Sequence, residues 1–516
     1  MSPTSEVVLP PPQIGPRRLI AVDIAASVNL LGTLSKYLGL VALFPALVAL
    51  WYHEPVWPFL AAGAITSGFG LALERISPGS ASSVGAREGF LVVSLTWLLA
   101  AGFGSLPYLF VGGEQLGRPL DAYFEAMSGF TTTGATVVTD FDALSHSLAM
   151  WRQFTQWLGG LGIIVLALAV LPRLRVGGRQ LLESELPGPE VDQLGERIRQ
   201  TVRRLWVLYV SLTALEVAIL ALIGWTGLDD RMNLFEAVAH AFTTMPTGGF
   251  STQAGSIGAF AAVTQWVVVG FMVIAGLNYA LLFRSFARRR PGLAFRDEES
   301  RLYAILLVAA SAVLITELAT KAIEGSEAPL RNGVFQAVAI MTGTGYATVD
   351  FAAWPTLALM TLVLLMFVGG AAGSTTGSVK VMRHLLVGRM LRRELTQTLR
   401  PEVVMPIRLS GIVVDERTLR AIVSFVLLYV GLFVVGAGVI AVDAAVQGPD
   451  VLPIDAISAA AATLGNVGPA AGPAGPLDSY APFSDVSSAT MIALMWLGRL
   501  EVLPIIVLLT RSYWRA

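Results

Sequence analysis

The chain has no cysteine in 516 residues, which excludes disulfides, thiolate metal sites and a cysteine nucleophile. Its four histidines include no ligand-spaced pair, leaving little for a transition-metal centre. Charge is scarce: 14% of residues are charged, 54% are hydrophobic, and the mean hydropathy is +0.67. That balance belongs to an integral membrane protein. No carboxylate or histidine constellation marks a reaction centre, so the chain is not expected to be an enzyme, and no nucleic-acid partner is expected. The opening residues MSPTSEVVLPPPQIGP lack a basic region and an apolar core. They read as a cytoplasmic disordered tail rather than a signal peptide.

What the chain does have is apolar stretches long enough to cross a bilayer as helices. Ten spans are predicted. Two lead, at 34–52 and 57–75, and four pairs follow: 88–112 with 147–172, 201–224 with 260–286, 300–323 with 355–395, and 417–443 with 486–511. Basic residues cluster at Arg17 and Arg18, in 173–204, 284–301 and 383–400, and at Arg511 and Arg515. The positive-inside rule puts these clusters in the cytoplasm, as expected of a multi-pass membrane protein.

Between the helices of each pair lies a short amphipathic segment that runs into a glycine. The four read FEAMSGFTTTGAT from Phe124, FEAVAHAFTTMPTGGFST from Phe235, FQAVAIMTGTGYAT from Phe335 and IDAISAAAATLGNVGPA from Ile454. The glycines Gly134, Gly249, Gly345 and Gly468 recur at roughly 95–125 residue intervals, the spacing of a repeated unit. Each segment is long enough to enter a membrane and too short to cross it. By the basic-loop topology, each turn is approached from the outer side.

Irregular backbone at membrane depth is tolerated where protein buries it or water bathes it. Four such turns on one axis would make a filter whose carbonyls replace a cation's hydration shell. The expected fold is an all-α polytopic membrane protein whose last eight helices form four helix–pore-helix–filter–helix repeats around a pseudo-fourfold pore. Its units are a tail at 1–30, two leading helices at 31–80, and repeats at 81–180, 181–298, 299–400 and 401–516. The expected filter residues are Thr132, Thr133 and Gly134; Thr247, Gly248 and Gly249; Thr344, Gly345 and Tyr346; and Asn466, Val467 and Gly468. The hydroxyls of Thr131, Thr136, Ser251 and Thr348 would add oxygens or hold the turns. The alternative is that Gly and Thr simply pack helices closely.

These stretches, with RQFTQWLGGLGIIVLALAVLP (152–172), PTGGFST (246–252), FVGGAAGSTTGSVKVMR (367–383), GNVGPA (465–470) and MWLGRLEVLP (495–504), resemble the Trk/Ktr/HKT superfamily of potassium transporters, and within it the bacterial TrkH branch. The likeness spans essentially 30–512. It implies potassium as the transported ion, held at Thr133, Gly134, Gly249, Gly345 and Gly468. It also implies a homodimer with one pore per subunit. Four filter glycines imply a preference for potassium, which Asn466 and Pro469 make asymmetric. No covalent cofactor is expected. NAD and ATP would act through a separate cytosolic ring of the TrkA type, landing on the basic inner loops 173–204, 284–301 and 383–403. Those loops otherwise set topology and touch anionic membrane lipid.

Two features lie below the expected filter. Gly369, Gly370, Gly373, Ser374, Thr375, Thr376 and Gly377, followed by Lys380, interrupt the third repeat's second helix. Each Gly costs roughly 1 kcal/mol against Ala in a helix interior, so the run is either a kink or, as the resemblance implies, an intramembrane gating loop. It is not a nucleotide-binding loop, because no Gly-Lys-Ser/Thr follows at the required spacing. Arg499 lies inside the last apolar helix, where a charge faces a cavity or a partner. The family resemblance makes it a barrier to cations; the structural reading bonds it to backbone carbonyls. Glu216 and Glu317 would be proton-relay sites in a symporter, but structural pairing is expected for both, Glu317 with Lys321.

Overall fold

A computed structural model describes residues 22–78, 85–169, 191–287, 292, 296–447 and 451–515. Most of the N-terminal tail and of the basic loop at 173–204 therefore lies outside the described residues. The chain folds into helices: α1 Ile24–Val41, α2 Leu43–Trp51, α3 Trp57–Ile76, α4 Ala86–Gly104, α5 Leu106–Val111, α6 Pro119–Phe130, α7 His146–Ala169, α8 Val191–Trp225, α9 Leu234–Thr244, α10 Ala262–Ala275, α11 Tyr279–Ala287, α12 Glu298–Thr320, α13 Pro329–Met341, α14 Thr356–Leu365, α15 Val381–Leu399, α16 Glu416–Gln447, α17 Pro453–Leu464, α18 Asp485–Arg499 and α19 Leu503–Leu508, besides a few single turns. A two-stranded hairpin, β1 Arg408–Leu409 with β2 Ile412–Val413, follows α15. Its turn residues Ser410 and Gly411 both have positive φ, at 48° and 85°, as a tight two-residue hairpin demands.

Among the described residues, six apolar helical stretches are long enough to span a bilayer: Ile24–Trp51, Trp57–Ile76, Arg87–Val111, Gln200–Trp225, Glu298–Thr320 and Glu416–Val446. The first starts at Ile24, earlier than the expected 34, because the Asp23 carboxylate caps it by accepting from the Ala26 amide. Two expected continuous spans are not continuous, and a third is interrupted as expected. The stretch 260–286 bends by 102° between α10 and α11. The stretch 355–395 is split into α14 and α15 by the Gly-rich run. The stretch 486–511 breaks after Arg499, where Glu501 and Val502 take φ of 55° and 61°. Windowed hydropathy sees the apolar composition of these segments but not their backbone geometry.

The four short helices α6, α9, α13 and α17 form the centre. Phe124, Met127, Ala237, Ala239, Phe335, Ile340, Ala459 and Ala462 are all completely buried. Three of the four begin with Pro in the first turn, where its missing N–H is no loss. The fourth, α9, is capped by the Asn233 side chain, which accepts from the Glu236 amide. The longer helices wrap this centre and leave apolar side chains outward, among them Leu427, Val434 and Val442 on α16.

Candidate functional site: a closed ring of four glycine turns

Each short helix ends in the same backbone device. Two residues before the glycine the chain turns left-handed: Thr132 has φ 52°, Thr247 57°, Gly343 69° and Asn466 53°. In each case the amide of that residue reaches back three positions, to Gly129, Thr244, Ile340 and Thr463 respectively. The glycine is then left-handed again, with φ of 83° at Gly134, 77° at Gly249, 73° at Gly345 and 101° at Gly468. Two left-handed residues with one between them reverse the strand at a sharp angle, and β-branched Thr at that position is strained by about 1 kcal/mol or more.

The turns touch one another in cyclic order. A Cβ on Gly134 would lie 2.2 Å from the Gly248 carbonyl oxygen, and one on Gly249 1.7 Å from that of Thr344. A Cβ on Gly345 would lie 1.9 Å from the Val467 oxygen, and one on Gly468 2.6 Å from that of Thr133. First meets second, second meets third, third meets fourth, and fourth meets first. The ring closes, and all four glycines line one cavity with Gln253, Asp478 and Tyr480. In its lining, burial and the neighbouring Asp350 carboxylate hold Asp478 above the ordinary carboxylate range.

The hydroxyls largely hold the turns. Thr131 and Thr133 hydroxyls bond at 2.7 Å, and Thr342 and Thr344 at 2.8 Å. The Asn466 amide donates to Thr133 Oγ1 at 3.0 Å and to the Met495 carbonyl at 3.0 Å, joining the fourth turn to the first. The Tyr346 side chain turns away from the ring, and its hydroxyl bonds Thr243, Thr244 and the His240 carbonyl on α9. Two turn carbonyls are tied back, that of Gly248 by Gln156 at 2.8 Å and that of Gly468 by Tyr480 at 2.6 Å.

Three polar residues that sequence reasoning missed stand nine positions before the glycine: Glu125, His240 and Gln336, with Ala459 in the fourth repeat. Each reaches the strand leaving its turn. Glu125 accepts from the Thr136 hydroxyl and the Val137 amide, His240 Nε2 lies 3.0 Å from the Ser251 hydroxyl, and Gln336 donates to the Thr348 hydroxyl at 3.3 Å. The constant offset was visible in the sequence. Arg152 on α7 was not foreseeable as their partner. Fully buried, it pairs with Glu125 at 2.7 Å, donates to the Ser251 carbonyl at 3.2 Å and sits 4.3 Å over the Phe250 ring.

Under the ring lies the Gly-rich run, an ordered loop rather than a kink. Gly369 donates to the Val379 carbonyl and Val381 to that of Gly370, closing its base. The Ala371 amide donates to the Gly276 carbonyl at 2.8 Å, inside the bend between α10 and α11. Thr375 Oγ1 donates to the Met245 carbonyl at 3.1 Å, and Ser378 Oγ to that of Gly465 at 3.1 Å. A Cβ on Gly343 would lie 3.6 Å from the Gly377 amide nitrogen. The loop thus touches the second, third and fourth repeats directly below their turns. Arg499 completes the circuit, donating to the Thr375 carbonyl at 2.9 Å and to the Gly159 carbonyl at 3.3 Å. Lys380 Nζ bonds Thr376, folding back on the loop. Glu501 belongs to Arg383, not to Arg499.

Of the two intramembrane carboxylates, Glu317 pairs with Lys321 at 2.5 Å as expected. Glu216 does not pair. It is completely buried behind α9 with the Thr244 hydroxyl beside it, and no ion pair reaches it among the described residues.

Apolar helical spans around converging short helices that end in a ring of backbone turns define a multi-pass membrane protein. A family model described as TrkH, cation transport protein, matches residues 59–515, and the chain belongs to that family. The chain is 35% identical over 495 residues to the Trk system potassium uptake protein TrkH of Halomonas elongata, covering 94% of this chain and 98% of that one. It is 36% identical over 487 residues to TrkH of Escherichia coli K12, covering 92% and 95%. The crystal structure of the potassium transporter TrkH from Vibrio parahaemolyticus superposes with a TM-score of 0.84 at 32% identity, covering 96% of this chain and all of that one.

Proposed function

We propose that this chain takes up potassium across a bacterial cytoplasmic membrane through a gated pore whose filter is the ring of four glycine turns. The closed cyclic contact of Gly134, Gly249, Gly345 and Gly468 with the neighbouring turns carries the reading. Four short helices end just before the turns, and the negative ends of their dipoles favour a cation there. Turn carbonyls at Thr133, Gly134, Gly249, Gly345 and Gly468 replace part of the ion's hydration shell. The carbonyls of Gly248 and Gly468, each already accepting one side-chain bond, make the filter asymmetric. The Gly-rich loop and Arg499 are the barrier below it. The chain then crosses the membrane ten times, counting the bent and broken helices as spans, and its last eight crossings form the four repeats. It works as a homodimer regulated by a cytosolic nucleotide-binding ring.

A membrane potential of 100 mV is worth about 2.3 kcal/mol per monovalent charge, so inward flow needs no other fuel. Reversal potentials in proteoliposomes test this: they follow the potassium gradient and do not move with pH at fixed potassium. The unpaired Glu216 favours a second reading, symport of potassium with protons or sodium. A pH-dependent reversal potential that Glu216→Gln abolishes would establish it in place of the first.

A further inference from the structure

The loop below the ring is tied to the first turn of α12 by one side chain to which neither filter nor gate has yet assigned a role. Glu299 is buried, with 6% of its surface exposed. Its Oε1 accepts from the Ala372 amide at 2.7 Å and from the Met382 amide at 3.0 Å. Ala372 lies on the strand entering the loop and Met382 in the first turn of the helix leaving it, so one carboxylate oxygen bridges the two sides of the loop's base. Charge-assisted bonds of this kind are shorter and stronger than neutral ones, and both donors would be orphaned if the carboxylate left. The adjacent Glu298 fixes the same helical turn from the other side, pairing with Arg389 of α15 at 2.8 Å and accepting from the Ser410 amide at 3.3 Å.

We infer that Glu299 is the latch of the gate, a positioning residue that holds the loop across the pore by clamping Ala372 to Met382. This rests on the loop being the gate. Release of either amide frees one side of the base and leaves the loop to its remaining bonds with Gly276, Met245, Gly465 and Arg499. The chain's lack of cysteine makes the test clean. Basal rubidium flux in proteoliposomes is measured for the full chain and for Glu299→Ala, Glu299→Gln and Arg499→Ala. In parallel, a single cysteine at Ser374, where 5% of the surface is exposed, is labelled with a charged thiol reagent.

Glu299→Ala raises both flux and labelling rate, by about tenfold for the loss of two charge-assisted bonds. Glu299→Gln, which keeps one acceptor oxygen, falls between it and the unaltered chain. Should Glu299→Ala not assemble, the Gln variant and its labelling rate still decide. Unchanged flux and labelling in the Glu299 variants, with Arg499→Ala raising flux, would overturn the latch and leave the gate standing. Unchanged flux in every variant would overturn the gate and the latch together.

Discussion

A methyl group on Gly134 would lie 2.2 Å from the Gly248 carbonyl oxygen, on a backbone already at φ 83°. An L-residue pays about 1–2 kcal/mol for a left-handed conformation, and the steric overlap adds to it. Gly134→Ser is therefore expected to push the first and second turns apart and to lower the potassium-to-sodium flux ratio by about tenfold or more. Isotope fluxes of the two ions check this; an unchanged ratio would remove Gly134 from the filter. The Glu125–Arg152 pair acts differently, because it holds the strands leaving the first two turns. Arg152→Ala leaves a buried carboxylate without its cation, which costs about 3–5 kcal/mol. Thermal melting in detergent should show a large loss of stability, and loss of uptake should accompany it. A melting point within a degree or two of the unaltered chain's would mean that Glu125 finds another partner.

The elements are positioned by caps as much as by apolar faces. The helix α7, which carries Arg152 and Gln156, is held at its start by Glu54 from the loop between α2 and α3. That carboxylate accepts from the His146 amide at 2.7 Å and the Ser147 amide at 2.8 Å, while His146 stacks on Tyr52 with ring centroids 4.0 Å apart. Burial acts to raise the Glu54 pKa, but the bonds from Ser147 and His146 outweigh it and hold the carboxyl below its ordinary value of 4.5. Because the folded value is the lower one, the stabilisation is complete above the ordinary Glu range and is lost as pH falls through the folded value. Glu54→Gln should melt lower than the unaltered chain at pH 7, and the gap should close as the pH falls through the lowered folded-state value. A gap that stays constant with pH would assign the difference to packing.

Over the whole molecule, the loop and Arg499 form one hydrogen-bonded layer beneath the ring, the proposed barrier. The loop contacts the second, third and fourth repeats, and Arg499 links Thr375 to Gly159 in the first. Removing the charge and both of its bonds with Arg499→Ala is expected to raise basal flux several-fold. Flux that stays level or falls would make Arg499 a brace rather than a barrier. The two roles are compatible in this geometry, since a guanidinium placed to repel a cation would be held there by the carbonyls it bonds.

The sequence by itself determined the class of protein, the four turns, the interruption in the third repeat and the exceptional Arg499. These are local or compositional signals: apolar length, clustered Lys and Arg, and glycine at a repeated spacing. Only the tertiary structure decided that the glycine turns close into a ring, because cyclic contact joins residues from about one hundred to more than three hundred positions apart. It also decided that 260–286 bends and that 486–511 breaks, since hydropathy carries no backbone dihedral. Glu216, expected to be paired, has no ion-pair partner among the described residues, and Tyr346 faces α9 rather than the ring. The partners of Glu125 and Glu299 were illegible for the same reason: a hydrogen bond depends on which surfaces meet, and a linear pattern does not record that.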